Sequence, residues 1–249
     1  MELEAVYTIW LREIKRYLRA KERIASSLAM PIFWFLIFGS GMNVALRLAD
    51  TEVSYSDYIA PGIIAMALLF TSVSSGVSVI WDREFGFLKE MLVAPISRTS
   101  IVIGKSLGGA TTALMQGLMI IALSAMFGVD FSLSSILLML PLMLLISIGF
   151  VNLGLIIGSL METLEGFQLI MNFVVMPLFF LSGALFPIGN LPYALRVLSL
   201  LDPLTYGVEA MRSVALGVSY LPISISLLVV FQFVVLTSII GGFVFSRKQ

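Results

Sequence analysis

An all-α membrane protein with six transmembrane helices is the fold class that this sequence predicts, and three observations carry the prediction. Six apolar runs, at roughly 25–46, 58–80, 101–127, 133–160, 167–185 and 221–245, each reach the about 20 residues that a helix needs to cross a hydrocarbon core of about 30 Å. The composition is 59% apolar and 12% charged, against about 45–50% and about 25% in soluble domains, which excludes an ordinary water-soluble fold. The alternating segments of about ten residues that mark a membrane barrel are absent. Backbone polar groups in hydrocarbon must then pair within their own segment, which leaves helices.

Residues 1–24 carry too much charge to span. Leu3, Tyr7, Trp10, Ile14 and Leu18 recur at three- and four-residue spacing, with Arg12, Lys15, Arg16 and Arg19 off that stripe. The pattern predicts an amphipathic helix lying along the headgroups. It does not fit a secretory signal peptide, because the charged region is long and no small-residue cleavage site follows the first apolar run. Basic residues set the orientation. Six lie in the N-terminal segment, four between Trp81 and Lys105 and two in the tail, against only Arg47, Arg196 and Arg212 on the other side. Both termini and the Trp81 loop are therefore expected in the cytoplasm.

The loop 81–105 reads as a short helix placing Phe85, Leu88 and Leu92 on one face, with Arg83, Glu84 and Glu90 largely elsewhere. Pro95 ends it, lacking an amide proton and restricting its predecessor. Gly104 with Gly108, Gly154 with Gly158, and the cluster Ser72, Ser74, Ser75, Gly76, Ser78 sit at helix-packing spacing. They serve either one bundle or a contact between two copies. Region 186–220 is long yet apolar. Gly183, Pro187, Gly189 and Pro192 punctuate its start, and two helix-like stretches, Leu191–Leu201 and Thr205–Leu216, are broken at Asp202-Pro203. They are expected to dip back into the outer leaflet or to reach outer water. Glu209 and Arg212, three apart, share a helical face and are placed to pair.

Several chemistries are disfavoured. With no Cys and no His, thiol chemistry, thiolate metal sites and the commonest general base are gone, which argues against a membrane enzyme. A net charge of zero gives no reason to expect nucleic acid as a partner. Gly104-Lys105-Ser106 resembles the end of a phosphate-binding loop, but that motif needs a glycine at 99, where Thr stands. Lys105 instead reads as an anchor at the cytoplasmic interface, and the chain is expected to hydrolyse no nucleotide itself. No ionisable residue stands clearly at mid-membrane, which argues against a proton-driven carrier. Gln116, Asn152 and Asn172 either line a pathway or hydrogen-bond between helices.

Two sets of residues carry a family resemblance. The first is Glu84-Phe85-Gly86, Leu88-Lys89-Glu90, Pro95, Arg98 and Gly104-Lys105. The second is Leu181-Ser182-Gly183-Ala184, Leu191-Pro192, Pro203-Leu204-Thr205-Tyr206 and Arg212. In this order on this topology, they resemble the type-2 permeases of ABC transporters, the group containing daunorubicin-resistance-type and polysaccharide-export-type permeases. Lys89 departs from the acidic residue that many relatives carry. The resemblance covers essentially the whole chain and implies a single permease domain over 1–249. It implies an exporter subunit in the plasma membrane of a prokaryote, paired with a second permease copy, a homodimer being the simpler arrangement, and with two ABC ATPase subunits. Glu84, Gly86, Leu88, Glu90, Pro95 and Arg98 would dock into the ATPase. Gly183, Pro187, Pro203, Tyr206, Glu209 and Arg212 would form the outer re-entrant region and gate. No cofactor is expected on this chain; ATP and Mg would be bound by the partner. The rival reading is a carrier or channel that works alone.

Overall fold

The structure is a computed structural model that describes residues 2–41, 54–87 and 96–248. Its described regular elements are helical: α1 (Glu2–Arg19), α2 (Lys21–Trp34), α3 (Tyr55–Ser74), α4 (Val77–Glu84), α5 (Arg98–Ser124), α6 (Leu133–Leu160), α7 (Leu164–Ile170), α8 (Met176–Leu181), α9 (Tyr193–Leu201), α10 (Pro203–Leu216) and α11 (Ile223–Lys248). Helix starts are chemically marked. Ser54, Ser97, Ser132, Thr163 and Asp202 each accept a backbone N–H from the first turn of the helix they precede, satisfying a donor that the helix cannot.

Among the described residues, five segments are long and apolar enough to cross a membrane: Tyr55–Glu84, Arg98–Phe127, Leu133–Leu160, Leu164–Leu181 and Ile223–Val244. The first predicted span, 25–46, corresponds to α2 and a π-helical continuation, Phe35–Gly41; its last residues lie outside the described set. The second span runs further than the predicted 58–80, with a break between α3 and α4 at Ser75–Gly76. In the fifth, a π turn over Met171–Val175 joins α7 to α8 immediately before Pro177. A wider turn there accommodates a ring that has no N–H to give and would clash with the preceding turn.

Burial separates a centre from a periphery. The apolar stretch of α3–α4 is 72% buried, against 17% for α7–α8 and 17% for α11. Ile63 and Leu68 of α3 share one core with Met143, Ile146 and Phe150 of α6 and Leu204 and Met211 of α10. Glycines permit the closest approach. A Cβ on Gly76 would stand 1.9 Å from the Gly154 carbonyl oxygen, and one on Gly158 would stand 2.2 Å from that of Gly76. The Gly154–Gly158 spacing therefore serves packing of α6 on the α3–α4 break within one chain.

Helix α1 is the amphipathic helix that the spacing predicts. It runs beside α5 in the same direction, Ile9 and Glu13 resting where Cβ atoms on Gly104 and Gly108 would collide. The buried face holds Ile9 and Glu13, while Leu3, Tyr7 and Leu18 of the apolar stripe are exposed. The stripe thus turns outward, and a face including a carboxylate turns inward. The helices expected at 191–201 and 205–216 appear as α9 and α10, broken at Asp202–Pro203. Helix α10 packs on α3, α6 and α11, and α9 keeps Tyr193 and Leu201 exposed.

Candidate functional site

At the end of the bundle where α4 stops and α5 begins, charged side chains are buried together. Lys105, on α5, forms an ion pair with Asp82 on α4 and donates to Ser78 Oγ at 3.1 Å. Its Nζ is 3.6 Å from Glu13 Oε1. Arg12 pairs with the other Asp82 oxygen, and Arg16 holds Glu13 Oε2 at 2.5 Å. Lys105 and Asp82 are each 2% exposed. On three helices, the buried Lys105, Asp82 and Glu13 are thus paired, as buried charges must be, by one another and by Arg12 and Arg16, whose side chains are 36% and 35% exposed and reach solvent. The expectation that Lys105 reaches out to the interface is corrected: α1 covers it, and Asp82 holds it inside.

The same end is tied at further points. Arg83 donates to the Met161 carbonyl at 3.0 Å and the Ser159 carbonyl at 3.1 Å, satisfying acceptors at the C-terminus of α6. Glu2 accepts from Ser97 N at 3.1 Å and Ser97 Oγ at 2.8 Å, and from the Ser100 hydroxyl. These donors hold its carboxyl below the usual range. Trp10 Nε1 donates to Thr111 Oγ1 at 3.0 Å.

Of the six residues expected to dock an ATPase, Glu84 ends α4 and is exposed. Gly86 turns the chain with φ +81° in open space, a conformation that favours glycine. The helix therefore stops at Glu84 instead of continuing through Phe85, whose ring is 69% exposed. Arg98 is the first residue of α5. Leu88, Glu90 and Pro95 lie outside the described residues.

The opposite end holds a second buried ion pair. Arg212 pairs with Glu209, donates to the Gly183 carbonyl at 3.0 Å and lies 3.9 Å over the Tyr58 ring. Glu209 Oε2 accepts the backbone N–H groups of Tyr220 and Leu221. One pair thus fastens α10 to α3, to the turn at Gly183 (φ +71°) and to the start of α11. Pro203 begins α10 behind the Asp202 cap, Tyr206 donates to the Leu200 carbonyl at 2.8 Å, and Pro187 precedes a 3-10 turn, Ile188–Asn190. Asp202 has one oxygen on Leu204 N and the other without a partner; burial pushes its carboxyl up to about 7.

The three pathway candidates separate. Asn152 donates to Ser238 Oγ at 2.9 Å, an interhelical bond between α6 and α11. Gln116 lines a cavity beside α1 and accepts from Tyr17 and Ser27. Asn172 is exposed on the π turn beside Phe173, which is 76% exposed. Sequence reasoning missed Glu13 and Asp82 and read Ser78 only as a packing residue. The signal was there: opposite charges close the end of one apolar run and open the next, and antiparallel neighbours bring such ends together.

Comparison with known proteins agrees with this architecture. A family model described as ABC-2 type transporter matches residues 4–216. The inner membrane transport permease YadH of Escherichia coli (strain K12) is 29% identical over 232 residues, covering 91% of this chain and 90% of that protein. A putative transport permease, ycf38, of Porphyra purpurea is 30% identical over 200 residues, 78% of this chain and 68% of that protein. Nodulation protein J of Rhizobium leguminosarum bv. viciae is 28% identical over 212 residues, 84% and 81% respectively. With five apolar helices of spanning length and a family match over most of its residues, the chain belongs to the ABC-2 type transporter family of membrane permeases.

Proposed function

We propose that the chain is the permease subunit of an ATP-driven exporter, coupled through its first cytoplasmic loop to a separate ATPase. The observation that carries this reading is the turn at Glu84–Gly86. It is exposed, yet it ends the most buried helix of the bundle and is braced by Asp82–Lys105 and Arg83. A push applied there reaches the core without being absorbed by a slack loop. ATP can shift the permease only through contacts that differ between its two states, and this turn with the following loop is where such contacts belong. ATP and Mg are then held by the partner ATPases, two per transporter, and this chain carries no hydrolytic chemistry. By the distribution of basic residues, the α1 end faces the cytoplasm, in the plasma membrane of a prokaryote. The Arg212 end, with α9 and α10 dipping into the outer leaflet, forms the outer gate.

A second permease copy completes the pathway. Asn172 is exposed halfway along the Leu164–Leu181 span, on a face that also exposes Leu169, Phe173 and Phe180. A polar amide at that depth is poorly served by lipid and well served by a facing helix. The test is a reconstituted complex carrying Leu88→Ala with Glu90→Ala, compared with wild type for assembly, ATPase activity and flux. Assembly weakened, or ATP hydrolysis uncoupled from flux, is the expected result. Unchanged coupled turnover, or flux from the isolated chain driven by an ion gradient, would overturn the reading in favour of a carrier acting alone.

A further inference from the structure

A cavity of about 400 Å³ opens between α1, α2, α3, α5 and α8. One pole is polar. Gln116, 1% exposed, turns its amide toward the cavity, within hydrogen-bonding distance of the Tyr17 hydroxyl at 2.8 Å and the Ser27 hydroxyl at 2.9 Å. The other pole is aromatic: Trp34 and Phe179 meet edge to face at 5.8 Å, and Phe70 stands 6.1 Å from Phe179. Ser27 and Trp34, seven residues apart on α2, separate the poles by about 10 Å along the helix axis. The mouth is apolar, because Met30 both lines the cavity and is 54% exposed, beside exposed Phe33. Glu13 and Arg16 also line it, but each is neutralised by the other.

We propose that this cavity binds an uncharged, slender amphiphile taken sideways from the leaflet on the α1 side, its hydroxylated head on the Gln116 amide and its apolar body against Trp34, Phe70 and Phe179. The paired Glu13 and Arg16 offer no net charge to an ionic head. The volume suits a drug-sized molecule and is too small for a two-chain lipid or a polymer. Met66 and Met30 adapt to different shapes of the same class. Gln116 at the head is the specificity-determining contact, since its amide, which can both donate and accept, is buried at that pole. Binding here does not depend on the ATP-driven reading; export of the bound molecule does.

The test uses the chain in phosphatidylcholine nanodiscs with Trp10→Phe and Trp81→Phe, which leaves Trp34 as the reporter. The probe is a monoacylglycerol brominated on its chain, and the controls are brominated phosphatidylcholine and a brominated fatty acid anion. Saturable quenching by the monoacylglycerol, relieved by its unlabelled form and several-fold stronger than with either control at equal bromine content, is the expected result. Gln116→Leu weakens that binding about fivefold, the equivalent of one hydrogen bond. Quenching that is linear in probe, indifferent to competitor and equal for all three probes overturns the proposal, and the competition arm decides this with Gln116 and the aromatic pole intact. Saturable quenching by the anion equal to or stronger than by the monoacylglycerol overturns the assignment of an uncharged head. Loss of coupling in the Leu88→Ala, Glu90→Ala complex would leave this quenching intact, so the two readings fail separately.

Discussion

Replacing Lys105 with Met keeps the length of the side chain and removes its charge. Asp82 and Glu13 would then remain almost fully buried with fewer counter-charges. Removing one partner of a buried pair costs about 3–5 kcal/mol, because the other charge is left uncompensated. Here the loss is softened. Asp82 keeps Arg12, whose side chain is 36% exposed, and Glu13 keeps Arg16. The expected cost is therefore about 2–3 kcal/mol, below the range for a pair with no other support. At about 2–4 °C per kcal/mol for a chain of this size, the unfolding transition in detergent falls by roughly 5–10 °C. The decisive measurement is the cycle of Lys105→Met, Asp82→Asn and both together, followed by thermal unfolding with size-exclusion profiles as a check on dispersion. The double variant should be less damaged than the sum of the singles by more than about 1 kcal/mol, as for residues in one network. Effects that add within about 0.5 kcal/mol would mean that the two side chains do not act on each other, and would refute the description of this end of the bundle.

Other perturbations test other joints. Gly76→Ala drives a methyl into the Gly154 carbonyl, 1.9 Å away, so helix α6 must shift; overpacking costs about 1–3 kcal/mol or more, and the variant should elute as an unstable or aggregated species. Gly242→Ala, with nothing within 4 Å of the new carbon, should be neutral or slightly stabilising by the same assay. Arg212→Ala strands Glu209, which is 1% exposed, and should speed proteolysis and hydrogen exchange around Gly183 and Tyr220, whereas Gly242→Ala should leave exchange at both unchanged. For Asp202, whose folded carboxyl is pushed up to about 7, the folded state binds a proton more tightly than the unfolded one. Stability should fall as pH rises from about 4 toward 7 and level off above it, and Asp202→Asn should flatten that slope in unfolding curves taken across the range.

The sequence announces some of these features and hides others, for physical reasons. The break at Asp202–Pro203 is legible because both residues act locally: the carboxylate caps Leu204 N and the proline occupies the first turn. The glycine pairs are legible as close-packing positions, but not their partners. Gly104 and Gly108 receive α1, and Gly154 and Gly158 receive the α3–α4 break. Helix α1 is legible in part. Its periodicity correctly predicts an amphipathic helix, yet the apolar stripe is not the face that packs. Glu13 goes inside because Lys105 and Arg16 are there to meet it, a long-range compensation that no periodicity records. The π turns at Phe35–Gly41 and Met171–Val175 likewise leave the apolar pattern intact while moving side chains around the helix.

The helix pair α3–α4 links the two ends of the molecule. Tyr58, near its start, lies under Arg212, and Asp82, near its end, holds Lys105. Between them the helix is broken once, at Ser75–Gly76, where Gly76 meets the backbone of α6 with no side chain between. A rod anchored at one end by an ion pair and at the other by a guanidinium over a tyrosine ring transmits displacement well, and a break against a smooth glycine surface is where such a rod can change angle at little steric cost. The cavity beside α1 is lined by Met66, Phe70, Ser74 and Trp81 of this same pair. A change of angle at Gly76 would therefore alter the cavity, the inner charge cluster and the outer Arg212 contact together. Such discrete repacking of a few joints, not a general loosening, is how packed helices switch between states. The place to look for the second state is the contact between Gly76 and Gly154.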